Sequence, residues 1–393
     1  MTAIAKNRKL SVADRSTSRS INLRALVNYI SQSDGISKAD LAKNLGLSKP
    51  AVSANVADLI SLGLVEETEA GQSGKNGGRR PIILRLNKSL KCIGALDLSL
   101  QEPVCAIGDL SNWILKLRRI KISPNATSEE KRKCIADNFC GMLSELAMPI
   151  EKMGMIVVSH PGVIGEDNES FYVVERHRTW TNMDIKAYLK DYFKVPVLLE
   201  NDNCLAAIGE MHLGQEEQMK DLIYVSCGSG FGGGVIINGK LFKGCNFAAG
   251  EMGSMVNSDG KSVEDSVAID GLISRIEAIL PKKRTNNKID FKQVVEMVKA
   301  RDLCVTQVVR DVGREIGRVI NNSCILFGIP IVVFGGDYLK LGQPLFEGIE
   351  EAMLGTPFLQ PTVTRSKLKE SAAVFGCFIV GRNEIIRQKL QEI

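Results

Sequence analysis

The sequence predicts a small helical unit closed by a β-hairpin, joined to a larger α/β body. Three observations carry this. Apolar residues between Asn22 and Leu59 recur at helical spacing, broken by capping and turn residues. From residue 91 onward, short apolar strand signals alternate with helical ones. Charge divides at the same place: residues 1–91 hold 15 Lys/Arg against 7 Asp/Glu, net +8, and the remainder holds 35 against 38, net −3. A basic unit on a mildly acidic body points to a polyanion partner at one end, although charge alone does not separate this from a solvated basic face.

A chain of 393 residues suits two or three folding units. No apolar run approaches the ~20 residues needed to cross a bilayer, and the N-terminus shows no signal-peptide pattern. A cytoplasmic protein without a membrane partner is therefore expected. Ten cysteines form no CxxC pair and mostly sit in apolar segments, which favours buried thiols in a reducing compartment. With only His160, His177 and His212 available as imidazoles, neither a metal centre nor a cofactor is expected. Residues 1–20 read as a flexible basic arm.

Residues 21–90 form the first unit. Leu23, Leu26, Val27 and Ile30 mark one helix, and Asp34-Gly35 ends it. Ser37 caps a second helix bearing Leu41 and Leu45, and Gly46 supplies a turn. Ser48 caps a third, with Pro50 just inside its start. Val52, Val56 and Leu59 turn inward, leaving small or polar residues outside. Ala42, Gly46 and Val52 have the spacing of a helix-turn-helix. Such a helix enters a major groove closely, with Ser48, Lys49, Pro50, Ser53 and Ala54 at the contact positions. Val65 begins a strand, Gly71–Gly78 is a loop, and Arg79-Arg80-Pro81 leads into the alternating strand Ile82–Leu86. This is a β-wing, and Arg79 and Arg80 suit a narrow minor groove of double-stranded DNA. A helical corner with a dimerisation hairpin is the competing reading.

The second unit, 91–393, places strands near 91–98, 104–110, 155–159, 195–199, 223–227, 235–237 and 331–334. Helices are expected near 135–146, 202–210, 266–280, 291–300 and 305–325, with a long terminal helix from about 370. Gly228–Gly234 reads as a glycine loop, and Asn238-Gly239 as a two-residue hairpin turn. Segment 176–184, with Trp180 and Asn182, fits either a cleft lining or a plain surface loop.

Taken in order, Ser37–Val65, Gly77-Gly78-Arg79-Arg80-Pro81, Glu200-Asn201-Asp202, the 228–234 loop and Ala249-Gly250-Glu251-Met252-Gly253 resemble the ROK family (repressor, open reading frame, kinase). The resemblance covers nearly the whole chain from about residue 20. It implies an α/β fold class: a winged helix-turn-helix followed by a two-lobed actin/hexokinase-like (ribonuclease H-like) domain with a sugar cleft. Lobe one would be about 91–203 plus the terminal helix 370–393, and lobe two about 204–369. It further implies sugar binding by Asn201, Asp202, Glu251 and Glu264, with Asp202 at the position of the kinases' base.

Two departures matter. The family's kinases carry Gly-Gly-Thr where this chain has Ser99-Leu100-Gln101, so side chains stand where backbone must approach phosphate. Asp202 is then a vestigial base, and Gly228, Gly230, Gly232 and Gly233 a vestigial phosphate loop or a plain scaffold. A helix N-terminal carboxylate favoured by the dipole is the simpler reading of Asp202. The family's zinc loop is also lost: Ser254 replaces the usual His, and no cysteine lies between Cys245 and Cys304. The expectation is a non-enzymatic, DNA-binding repressor of carbohydrate genes, a homodimer or homotetramer with a carbohydrate effector. A bifunctional sugar kinase and a repressor controlled by a protein partner are the rivals.

Overall fold

In this computed structural model, the structure describes residues 12–33, 35–69, 82–100, 102–123, 125–165, 171–172, 184–214, 219–280 and 289–393. The first unit comprises α1 (Val12–Gln32), β1 (Ile36–Ser37), α2 (Lys38–Leu45), α3 (Lys49–Ser61), β2 (Val65–Glu69) and β3 (Ile82–Leu86). β3 pairs antiparallel with both β1 and β2, which makes the hairpin a winged helix. The caps are those the sequence announces. Ser37 accepts from Asp40 N–H, Ser48 accepts from Ala51 N–H, and Gly46 ends α2 in the left-handed conformation at φ 64°. One boundary differs: α1 begins at Val12, so the part of the expected arm from residue 12 to 20 is helical. A polar, Ser-rich stretch carries no apolar period, and so its helicity was invisible to pattern reading.

The body opens with β4 (Cys92–Asp97), β5 (Val104–Asp109), β6 (Ile114–Arg119), α4 (Ser128–Glu145) and β7 (Met153–His160). A short pair follows, β8 (Val163–Ile164) and β9 (Phe171–Tyr172), then α5 (Ile185–Phe193), β10 (Val197–Asn201) and α6 (Asp202–Gly209). The first sheet has the order β10-β7-β4-β5-β6, with β10, β7 and β4 parallel. Next come β11 (Leu222–Cys227), β12 (Phe231–Ile237), β13 (Lys240–Phe242), α7 (Val263–Val267), α8 (Ile269–Ile279), α9 (Phe291–Lys299) and α10 (Leu303–Phe327). The chain closes with β14 (Ile331–Gly335), α11 (Gln343–Ala352), β15 (Thr362–Arg365) and α12 (Ala372–Leu390). The second sheet has the order β13-β12-β11-β14-β15, with β11 and β14 parallel. Two such sheets with helices outside are the two lobes.

The pattern missed β6, α5, α11 and β15. β6 (Ile-Leu-Lys-Leu-Arg-Arg) lacks clean alternation, and β15 is a short, mostly exposed edge strand. The glycine loop is also shorter than expected, because Gly232, Gly233 and Gly234 are strand residues of β12. They are glycine because a Cβ on Gly233 would stand 2.3 Å from Tyr224 O, and one on Gly234 2.8 Å from the Ala207 Cβ. β12 thus lies flush against α6.

α6 in turn crosses α12 with backbones in contact. A Cβ on Gly376 would meet Leu205 O at 2.0 Å, and one on Gly209 would meet Ala372 O at 2.3 Å. Beyond α6, the fully buried Glu210 carboxylate accepts from Ser366 Oγ and, at 3.1 Å, from Leu368 N–H, fixing the approach to α12. The far end of α12 carries Ile385 and Ile386, which share one continuous apolar core with Leu23, Leu26 and Val27 of α1. α12 therefore runs from the junction of the lobes to the winged helix.

The crossing tolerates no larger side chain. Gly376→Val is expected to cost about 2–3 kcal/mol, read as a lower urea midpoint for unfolding of the body. A parental midpoint would contradict the close approach.

Candidate DNA-reading face and ligand cleft

On the winged helix, Ser48, Lys49, Pro50, Ser53 and Ala54 are all exposed on one side of α3, and Val52, Val56 and Leu59 are buried on the other. Asn55, where an apolar residue is commoner, is buried too. Lys49 makes no ion pair among the described residues, so its charge is available to a phosphate. Arg19 and Lys38, by contrast, pair with Asp58 at 2.6 Å and Glu67 at 2.8 Å. Arg79 and Arg80 lie outside the described residues, as does most of segment 176–184.

In the body, the parallel strands of both sheets aim their carboxyl ends at one cleft, the position where open α/β sheets bind ligands. β4 ends at Asp97, β7 at His160 and β10 at Asn201; β11 and β14 end at the 228–230 turn and at Gly336-Asp337. The cleft between them is lined by Asp97, Ser99, Asn201, Asp202, Glu251 and Glu264 among others. It unites all four residues expected to hold a sugar, with Gly228, Gly230 and Gly232. Gly233 is absent from this lining, since β12 carries it away from the turn.

The four have different occupations. Asn201 is the N-cap of α6: its Oδ1 accepts from Cys204 N–H at 3.0 Å, and its Nδ2 donates to Gly162 O at 3.1 Å. Asp202 occupies the first turn of α6. Burial, then the nearby Asp97 carboxylate, push its pKa up to about 7. Burial and the neighbouring Glu264 raise Glu251 as well. Glu264, on α7, accepts from Phe231 N–H at 3.0 Å and so grips the end of the glycine turn. The turn also bonds within itself, Gly228 N–H to Gly230 O at 2.9 Å.

Ser99 stands where the sequence resemblance implies glycine in kinases. Its N–H at 3.0 Å and its hydroxyl at 2.7 Å both donate to Asp97 Oδ1, which also accepts from Ser159 Oγ at 2.9 Å. Asp97 is buried, and its pKa is raised by that burial. One carboxylate oxygen is thus saturated by the protein itself. Neither Ser99 nor Leu100 has a positive φ.

The zinc the family implies does not fit here. Between Ser254 and Glu264 a tight loop is organised by Asn257, whose Oδ1 accepts from Asp259 N–H at 3.3 Å and Lys261 N–H at 3.2 Å. Its Nδ2 donates to Ser266 Oγ at 2.9 Å. Among the described residues no cluster of three or more His, Cys, Asp or Glu is disposed to hold a metal. The Asn257 side-chain amide thus organises this loop.

Sequence reasoning missed Lys369, Glu370, Ala372 and Ala373, which also line the cleft. They lie far along the chain from the motifs, and nothing local marks them. The same holds for Tyr224 and Ser226, which read only as strand residues.

A winged helix joined to a two-lobed body with a carboxylate-lined cleft marks a DNA-binding transcriptional regulator. The model described as "ROK family" matches residues 93–384, and that described as "MarR family" matches residues 25–75. The chain belongs to the ROK family. It is 28% identical to the xylose repressor of Bacillus spizizenii over 337 residues, covering 84% of this chain and 86% of the relative. A crystal structure of a ROK family transcriptional regulator, described as a homologue of the E. coli MLC protein, superposes with a TM-score of 0.78 at 19% identity, covering 96% of this chain and 100% of that one. A ROK family glucokinase from Streptomyces griseus, in complex with glucose and AMPPNP, matches with a TM-score of 0.61 at 19% identity over 74% of this chain and 98% of its own. The body fold is thus shared by regulators and kinases.

Asp202 gives the site a pH signature. A carboxyl whose folded pKa is raised to about 7 contributes stability that is fully present below its unfolded value near 4 and is lost as pH rises through 7. Asp202→Asn removes the titration. It is expected to be more stable than the parent at pH 8 by roughly 4 kcal/mol, with the gain vanishing near pH 4. Urea unfolding across that range checks this, and a pH-independent difference would contradict it.

Proposed function

We propose that the chain represses genes of carbohydrate use by binding an operator through the exposed face of α3 and the wing, and that a sugar in the body's cleft controls it. It acts in the cytoplasm as a homodimer or homotetramer, since helix-turn-helix proteins read paired half-sites by two-fold symmetry. The observation that carries this is Ser99 on Asp97. A kinase needs that strand end open to a metal-bound phosphate and glycine backbone beside it; here a serine hydroxyl fills the first place and side chains the second. The second phosphate turn is likewise spent on seating the Glu264 carboxylate. Catalysis is therefore not assigned.

What survives is polyol recognition. Asp202 and Glu251 come from opposite lobes, and carboxyl groups make paired hydrogen bonds to adjacent hydroxyls. Asn201 serves them as the cap that orients α6. A sugar held between the lobes draws them together around α12, which lines the cleft at Ala372 and Ala373 and packs on α1 at its other end. Control of DNA binding then requires only that sugar and DNA prefer different lobe spacings, a coupling typically of ~1–3 kcal/mol.

Fluorescence anisotropy with operator DNA, titrated with D-xylose, N-acetylglucosamine and D-glucose, tests the reading. A sugar is expected to shift the DNA affinity of the parent about 5- to 150-fold. Asp202→Asn should keep sugar-free DNA binding and lose the shift; indifference of the parent to all sugars would overturn sensing. Lys49→Ala should weaken binding and reduce the salt slope by about 1. Calorimetry with Mg-ATP should show no binding, and tight nucleotide binding would restore the kinase reading.

A further inference from the structure

The carboxylates that grip the sugar stand on two separate supports. Asp202 follows the end of β10 in the first lobe, and Glu251 ends the loop that leaves β13 in the second. One ion pair joins these supports. Lys243 Nζ lies 2.5 Å from Glu200 Oε2. Glu200 immediately precedes Asn201, and Lys243 immediately follows β13.

Each partner is held on its own side. The other Glu200 oxygen, Oε1, accepts from Asn201 N–H at 3.1 Å, so the carboxylate is braced against the strand end it serves. Lys243 Nζ stands 5.3 Å from the centre of the Phe247 ring. Its carbonyl accepts from Ala249 N–H at 3.1 Å, closing the loop 243–249 just ahead of Gly250-Glu251. Phe247 sits at φ 58°, a left-handed backbone that a bulky residue keeps only where its surroundings impose it. The Glu200 and Lys243 side chains are 15% and 33% exposed, so solvent screens the pair less than the chain's surface pairs.

We propose that Lys243 and Glu200 are positioning residues whose ion pair holds the Glu251 loop against the Asp202 strand end and so sets effector affinity. The proposal rests on the sugar-binding reading of the cleft. Neither residue touches the sugar. They fix the spacing across which two carboxyl groups must reach adjacent hydroxyls, a spacing to which hydrogen bonding is steeply sensitive. A pair serving stability alone would move the melting point and leave affinity unchanged.

The full-length chain is compared with Lys243→Met, Glu200→Gln and the charge swap Glu200→Lys/Lys243→Glu. Hydrogen exchange without sugar is read first. Amides of 244–254 should exchange about 10-fold faster in either single variant, with β4, β7 and operator affinity unchanged and the swap restoring slow exchange. Calorimetry with D-xylose, N-acetylglucosamine and D-glucose is read second. The sugar that the parent binds should bind about 10-fold more weakly to each single variant and recover to within about 3-fold in the swap. Unchanged exchange, undiminished affinity in the single variants, or a swap that restores neither would overturn the proposal. If the parent binds none of the three sugars, the sensing reading fails, and the exchange result alone decides whether the pair holds the loop.

Discussion

The crossing of α6 over α12 is the contact on which the molecule's architecture depends. Gly209 and Gly376 let the two backbones touch, and three consequences follow from that one approach. The N-terminus of α6, with Asn201 and Asp202, is held at the cleft floor. β12 can lie against the other side of α6, which ties the second lobe to the first. And α12 is anchored at the lobe junction, so its far end meets α1 at a defined place. A glycine pair that brings helices into backbone contact leaves no slack for side chains to absorb, and tightly packed contacts transmit displacement rather than damping it.

The cleft combines a fold shared by regulators and kinases with polar groups that are largely bonded within the chain. The sheets still point their carboxyl ends inward, and the carboxylates still converge. Along the cleft, the Ser99 hydroxyl and amide occupy one oxygen of Asp97, and Glu264 accepts from Phe231 N–H at the end of the glycine turn. These interactions satisfy buried polar groups from within the chain. Near the loop behind Glu251, Asn257 likewise bonds the backbone.

Much of this was legible in the sequence. The helix caps at Ser37 and Ser48, the turn at Gly46 and the hairpin at Asn238-Gly239 are local devices, set by residues within a few positions of one another. That Asp202 and Glu251 should stand at one cleft was legible because their motifs are contiguous. What was not legible is long-range. Lys369–Ala373 enter the cleft because α12 docks on α6, and no residue near 370 announces its distant partner at 205. The strand character of Gly232–Gly234 was hidden because Gly232 and Gly234 answer to a helix thirty residues upstream and Gly233 to the neighbouring strand, while their composition suggests a loop. The pairing of Glu200 with Lys243 joins two lobes and has no sequence signature.

In the proposed reading, ligand and DNA favour different spacings of the two lobes. Such coupling is reciprocal, so the sugar must feel the DNA as much as the DNA feels the sugar. The most direct measurement is the calorimetric affinity of the effective sugar for the full chain free and then saturated with an operator duplex. The account predicts that the two affinities differ by the same factor by which the sugar changes DNA affinity. Identical sugar affinities in the free and DNA-bound protein would contradict it.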